Sequence, residues 1–401
     1  MLAMAHVACG ATDFWDLPPI LYSDTEPENA LTRLASDLAK GARITKETSL
    51  DRLRLVLKEL KVPESSQVLV FSKTSLQNPL IHPGNPRSLY FSEDTYVGYV
   101  PGGEIEIIIH DPLLGPVFYR IELDGPFKVE RDLTSCISCH ATSNTEGVPG
   151  MQVRSVFPDE GGRPLFAMGT TQVGPETPLA ARWGGYYVTG HSSLPHLGNR
   201  TYQEGGAIDP RTSDLRDLTR QIDVTKYPRP TSDIVALLVL EHQCRMHNLL
   251  TSAALQYRRA HFLGRVIDPQ ADPDRSTAGR IADGLAKTIT ACLFFQDEAD
   301  PGEGIEGGED FQKSLTARFP RTKAGDSLAD FQLYTRLFKN RCSFMIYSSA
   351  FRNLPPRVKI AVFRQMRTAL DGAPAYGWLK PSERAKISTI LAETLPDWPA
   401  S

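Results

Sequence analysis

The chain lacks most signatures of a metal-binding or membrane protein. It has no His-Glu-x-x-His, no Cys2His2 arrangement and no second Cys-x-x-Cys, so a structural zinc site would have to find its remaining ligands far apart in sequence. No apolar run reaches eighteen residues, which excludes a membrane-spanning helix. The most apolar stretch, Ile234 to Leu240, is too short. Charge of one sign is also missing: the formal net charge is −3 with acidic and basic residues interspersed. No basic face points to nucleic acid, and no acidic tail is present. No internal repeat is visible.

What is present is one motif, Cys136-Ile137-Ser138-Cys139-His140. Its spacing is that required for covalent attachment of a c-type haem: two thiols add across the haem vinyl groups, and the adjacent histidine gives a nitrogen to iron. The same Cys-x-x-Cys also serves in dithiol redox pairs and zinc sites. A dithiol enzyme places its first cysteine at the start of a longer helix, whereas Ala141 to Gly150 reads as loop. One covalent haem c is therefore the expected cofactor, with a dithiol and then zinc as alternatives.

Periodicity predicts an α+β fold: N-terminal helices and a mostly antiparallel sheet, a loop-rich haem segment, and a C-terminal α-helical bundle. Residues 1–24 read as a leader. In 25–130, a capping box at Thr25 and Glu28 opens a helix that Gly41 stops, and a second follows through Leu53, Val56, Leu57 and Leu60. Short β-branched and aromatic runs then predict strands at Val68–Phe71, Leu89–Phe91, Tyr96–Val100, Glu104–His110 and Val117–Leu123, with a hairpin at Pro101-Gly102-Gly103. Residues 131–230 hold the motif and turn-rich segments, with strands expected at Leu165–Thr171 and Trp183–Thr189. Residues 231–401 predict helices at Asp233–His261, Thr277–Gln296, Leu328–Ser348, Pro356–Asp371 and Pro381–Glu393, interrupted by a solvated acidic insert at Asp297–Asp310. Cys292 and Cys342 fall on apolar stripes and read as buried thiols.

His140 would bind iron from one side, and the group opposite decides the chemistry. The expected order is His196, then Met246, then His191, then an open position. His191 and His196 flank a glycine- and aromatic-rich segment from Trp183 to Asn199, while His242 and Met246 share a helix stripe with Val235, Val239, Leu249 and Ala253. Met151 and Met168 rank lower, Met151 being close to His140 in sequence and Met168 lying in an apolar run. Glu241 and Arg245, four residues apart, suggest an ion pair, with Arg245 also a candidate partner for a haem propionate.

The motif resembles that of the bacterial c-type cytochromes, a match carried by Cys136, Cys139 and His140. More loosely, the chain resembles an uncharacterised bacterial family of long proteins with a single haem motif, on Ser-Gln-Val-Leu-Val-Phe-Ser-Lys-Thr-Ser from Ser66, Trp-Gly-Gly-Tyr-Tyr-Val-Thr-Gly from Trp183, and Glu-His-Gln-Cys-Arg-Met-His-Asn from Glu241. The cytochrome resemblance implies electron transfer with an unidentified redox partner protein. The alternatives are a haem enzyme or gas sensor with an open sixth site, or a non-haem protein using the thiols. Covalent haem attachment implies a periplasmic or otherwise exported protein. Met1 to Ala11 has the small apolar character of the end of a signal peptide without its basic start, and Cys9 is a candidate lipid acceptor.

Overall fold

A computed structural model describes residues 13–39, 48–122, 128–270, 272 and 274–399. Cys9 and Gly41 lie outside the described residues. The fold is α+β, an antiparallel seven-strand sheet followed by long C-terminal helices that pack together.

Strands β1 (Val68–Val70), β2 (Arg87–Phe91), β3 (Thr95–Tyr99), β4 (Ile105–Asp111), β5 (Gly115–Ile121) and β6 (Val129–Arg131) pair in sequence, each antiparallel to the next. The hairpin turn after β3 falls at Pro101-Gly102-Gly103. Downstream, β7 (Arg154–Val156) pairs with β8 (Thr170–Gln172), and β9 (Tyr186–Tyr187) returns to extend the sheet beside β1. The strand expected at Leu165–Thr171 is instead a 3-10 turn, Phe166–Met168, leading into β8.

Register sorts the sheet into two faces, because successive side chains alternate. Tyr90, Val97, Ile107 and Tyr119 are in line on one face, and Leu89, Gly98, Glu106 and Arg120 on the other. The first face packs on helices α1 (Ala30–Ala39) and α2 (Ser49–Glu59) in one apolar cluster. Trp15, Ile20 and Tyr22 join that cluster, and the Tyr22 hydroxyl donates to the Pro116 carbonyl at 2.7 Å. The second half of the expected leader is thus folded against the sheet. Asn29, not Thr25, caps α1: its Oδ1 accepts from the Leu31 and Thr32 amides at 3.0 and 3.2 Å, while the Thr25 hydroxyl turns back to the Ile20 carbonyl.

The second face is covered by the loop-rich segment and by a long helix. The Cys-x-x-Cys-His motif closes one turn, α3 (Ile137–His140), and α4 (Ile234–Ile267) runs beyond its expected end. Asp233 starts α4 by accepting from the Ala236 amide at 2.8 Å. The helical half continues with α5 (Thr277–Leu293), α6 (Glu309–Thr316), α7 (Ser349–Arg352), α8 (Pro356–Leu370) and α9 (Pro381–Thr394). Two-residue strands β10 (His191–Ser192) and β11 (Ile305–Glu306) pair, so the acidic insert is anchored instead of freely solvated.

The helix expected at Leu328–Ser348 is absent. Phe331 and Phe338 meet across an antiparallel bridge with rings stacked at 4.9 Å, and Phe338 also packs on Phe295 and Phe344. Folding the segment back collects aromatic rings that a helix would spread along its length, and aromatic pairs of this kind contribute about 0.5–1.5 kcal/mol beyond their burial. Leu333 takes a left-handed φ of 59° at that reversal, and Tyr334 is left exposed. Cys292 and Cys342 are both free thiols. One core cluster joins sheet residues such as Val70 and Phe91, loop residues such as Met151 and Trp183, and the helices from α4 onward. Among the described residues no helix is long and apolar enough to cross a membrane.

Candidate cofactor site

Asp132, at the end of β6, starts the motif turn: its buried carboxylate accepts from the amides of Thr134 and Cys136 at 3.1 and 2.9 Å. Arg120 of β5 stands beside the other carboxylate oxygen at 3.5 Å. The loop after the turn is then closed on itself. The Gly150 amide donates to the His140 carbonyl at 2.8 Å, and the Thr145 hydroxyl lies within bonding distance of the His140 and Val148 carbonyls.

That closure orients His140. Its Nδ1 lies 2.8 Å from the Gly150 carbonyl; a carbonyl only accepts, so Nδ1 carries the proton and Nε2 keeps its lone pair. Burial pushes the His140 imidazole below the usual histidine range, with the Gly150 bond pulling the other way, and the neutral ring is the form that binds a metal. A backbone carbonyl holding the far nitrogen is the common support for a metal-bound histidine. The Phe118 ring packs 5.3 Å from the imidazole.

Gly150 is held in turn from α4. Asn248 accepts from the Met151 amide at 2.9 Å and donates to the Met151 carbonyl at 2.6 Å. A Cβ on Gly150 would stand 2.4 Å from Asn248 Oδ1. Gly150→Ala should therefore destabilise the fold by about 1–3 kcal/mol by overpacking this contact and lower cofactor occupancy. Chemical denaturation checks the first, and the yield of loaded protein checks the second.

Cys136, Cys139 and His140 open onto a cavity of about 380 Å³, within the ~300–1,000 Å³ typical of cofactor and small-molecule sites. Its walls are the second face of the sheet (Leu89, Tyr96, Ile108, Phe118), Met151 and Val153 after the loop, Tyr186 of β9, and Leu240 and Cys244 of α4. Lys73, Arg87 and Arg154 bring positive charge to it, and Arg87 pairs with Glu106. A glycine at position 98 makes that pairing fit: a Cβ there would lie 2.6 Å from the Arg87 guanidinium. Arg87 Nε and Gln152 Oε1 are buried with no partner within the protein.

The surroundings of Cys136 disfavour its thiolate. Cys136 is pushed up to about 12, by burial first and then by Asp132 and Glu106, where a reactive cysteine needs an electropositive setting that lowers it. Both thiols are free, and α3 is a single turn. Among the described residues no three His, Cys, Asp or Glu side chains converge as a metal-ion cage.

No family model, curated protein or solved structure matches the chain.

Of the expected ligands opposite His140, the leading three lie elsewhere. His196 is fully engaged: Nδ1 accepts from the Gly198 amide at 3.0 Å, Nε2 is 3.2 Å from the Ser213 hydroxyl, and the ring packs edge-on against Trp183. His191 is half exposed and bound to Asp214 at 2.5 Å. Met246 is buried on the side of α4 turned away from Leu240 and Cys244 and does not line the cavity. His242, on that same side, is bonded to Ser343 and stacked on Phe295 at 4.2 Å. Met168 packs near Phe157, Leu197 and Tyr202. Met151 does reach the cavity, but it directly follows the residue that holds His140, so its backbone stands on the His140 side.

Arg245 does not pair with Glu241 and does not line the cavity; it binds Glu146 in the loop after the motif. Glu241 is buried and taken by Arg182 at 2.5 Å and by the Trp183 indole at 2.7 Å. The charged residues that do reach the cavity, Lys73, Arg87, Glu106 and Arg154, went unselected in the sequence. Their only signal is Arg87 and Glu106 alternating with apolar residues in strands, which ordinarily marks a solvent face.

Proposed function

We propose that the chain carries one covalent haem c, bound through Cys136 and Cys139 with His140 as proximal ligand, and that it works outside the cytoplasm as an electron-transfer protein. The observation that carries this reading is His140 itself: Nδ1 is bonded to Gly150, and the residue opens, with both thiols of a Cys-x-x-Cys, onto one cavity. The residues present fit the group. Leu89, Ile108, Phe118 and Tyr186 supply apolar walls, and Lys73, Arg87 and Arg154 supply cations suited to carboxylates at the rim. Bound there, the group would supply a one-electron couple tuned by burial and by its axial ligand. The protein's part is to fix the imidazole, limit water and balance charge.

A second reading, a displaceable sixth position open to a small molecule, is favoured by one observation. Among the described residues lining the cavity, no histidine other than His140 is present, and the single methionine stands beside Gly150. The reduced, haem-loaded protein should accordingly bind carbon monoxide promptly, seen as a shift of its main absorption band. His196→Ala and Met246→Ala should leave the spectrum unchanged. A six-coordinate spectrum indifferent to carbon monoxide and altered by either substitution would reinstate the ligands expected from sequence.

A further inference from the structure

A buried polar chain leaves the inner wall of the cavity at Tyr96. Its hydroxyl is 2.6 Å from His247 Nδ1 and accepts from the Gln243 amide at 2.9 Å. His247 is fully buried, and its Nε2 lies 3.7 Å from Asp94 Oδ1, with no closer partner. The Asp94 side chain is about a quarter exposed, 27%, and accepts from the Ser349 amide at 3.1 Å. A shift of roughly 0.5 Å would close the His247–Asp94 contact into a hydrogen bond. His247 thus joins the buried Tyr96 hydroxyl on one side to the Asp94 carboxylate on the other, with its Nε2 left without a hydrogen-bond partner.

We propose that Tyr96, His247 and Asp94 form a proton-storing site on the cavity wall, coupling one proton to each electron the cavity takes up. The proposal rests on the haem reading above. The hydrogen-bond inventory gives two states. With His247 neutral, Nε2–H faces the Asp94 carboxylate and Nδ1 accepts the Tyr96 hydroxyl proton. With His247 charged, Nδ1–H donates to the Tyr96 oxygen, which frees the Tyr96 hydroxyl proton to turn elsewhere. Passage between them is balanced. A hydronium ion from solvent gives a proton to the Tyr96 oxygen as the hydroxyl proton of Tyr96 moves to Nδ1: one O–H bond breaks in the hydronium, which leaves as water, the Tyr96 O–H bond that breaks is replaced, and one N–H bond forms. The positive charge ends beside Asp94. The electron comes from the one-electron donor that reduces the site, and oxidation runs the transfer backwards.

The groups packed around His247 keep their own charge states. His110 of β4 stacks on it at 5.4 Å and is held down to about 3 by burial and by His247 itself, so it stays neutral. Burial raises Asp94, but His247 and the Ser349 amide together bring it below the usual carboxylate range. Burial pushes Cys244 up to about 12 and Tyr96 well above its ordinary value, so neither deprotonates near neutrality. Arg258, further along α4, faces His110 and is anchored to the carbonyls of Pro112 and Leu113.

The test is the midpoint potential of the haem-loaded protein from pH 5 to 8, with haem content established first. One proton per electron gives a slope of about 59 mV per pH unit, the one-electron equivalent of a tenfold change. The expected result is a pH region of that slope in the wild type, flattened in His247→Gln and moved to lower pH by at least one unit in Asp94→Asn. Nitrogen-15 spectra of the histidines in the folded, haem-free chain give a second readout: His247 should titrate in that range, and Asp94→Asn should lower its midpoint. A flat wild-type profile in haem-loaded protein, or a slope unchanged in His247→Gln, overturns the proton store and leaves the haem reading standing. Exported protein with no covalent haem overturns both. Should His247→Gln fail to fold, a His247 that does not titrate in the nitrogen-15 spectra overturns the proposal, and one that titrates and moves with Asp94→Asn sustains it.

Discussion

Glu241→Ala should destabilise the protein by about 3–5 kcal/mol, the range for breaking a buried ion pair by removing one partner. Glu241 is almost wholly buried on α4, and its two carboxylate oxygens are divided between Arg182 and the Trp183 indole. Arg182 is also nearly inaccessible and donates to the carbonyls of Thr177 and Pro175 at 2.6 and 2.8 Å. Removing the carboxylate leaves a guanidinium with backbone partners but no counter-charge in an apolar surround. Replacing both, as Arg182→Met with Glu241→Leu, should restore much of the loss, because the desolvation of two charges disappears with them. The double-mutant cycle in chemical denaturant measures the coupling. A single-site effect under about 1 kcal/mol would show the pair to be incidental. The consequence reaches the site, since Trp183 is three residues from Tyr186, which forms part of the cavity wall. Loosening this network should therefore also reduce cofactor occupancy.

The second large effect is on covalent loading. Cys136→Ala with Cys139→Ala, in a host that attaches c-type haem, should lower covalent haem by about tenfold or more, because both thioether positions are lost. Either single substitution should lower it less. His140→Ala should behave differently: any haem retained by the thiols loses its nitrogen ligand, so the absorption spectrum changes instead of merely weakening. Haem staining after denaturing electrophoresis measures the first pair, and the visible spectrum the last. Equal loading in the double-cysteine variant and the wild type would place any haem elsewhere. The high position of the Cys136 thiol sharpens the expectation. A half-buried thiol so reluctant to ionise is a poor nucleophile at neutral pH, so rapid alkylation of Cys136 in the folded, unloaded chain would count against the geometry.

Much of the fold was legible because its elements carry strong local periods. β4 alternates from Ile105 to His110, and α4 and α8 repeat apolar residues every three to four positions. The segment Leu328–Ser348 carries the same helical spacing of aromatics and still folds back, bringing Phe331 and Phe338 together across an antiparallel bridge with their rings stacked. The motif was equally plain, being contiguous. The rest of the site was not, for a physical reason. Arg87, Tyr96, Glu106 and Phe118 meet through strand register, and their alternation is the same whether water or a loop covers that face. His196 shows the converse. A histidine among glycines and aromatics looks identical whether its nitrogens await a metal or are occupied, as here, by Gly198 and Ser213. On α4 the regular apolar stripe runs through Met246, while the less regular face with Cys244 and His247 is the one that meets the sheet.

The most direct test of the central claim is the covalent haem content of the wild-type chain, exported in a host with c-type haem maturation and read by haem staining on a denaturing gel and by intact mass. The account predicts one haem per chain that survives denaturation, with Cys136 and Cys139 both blocked to alkylation. Exported, folded protein with no haem band and two alkylatable thiols at those positions would contradict it.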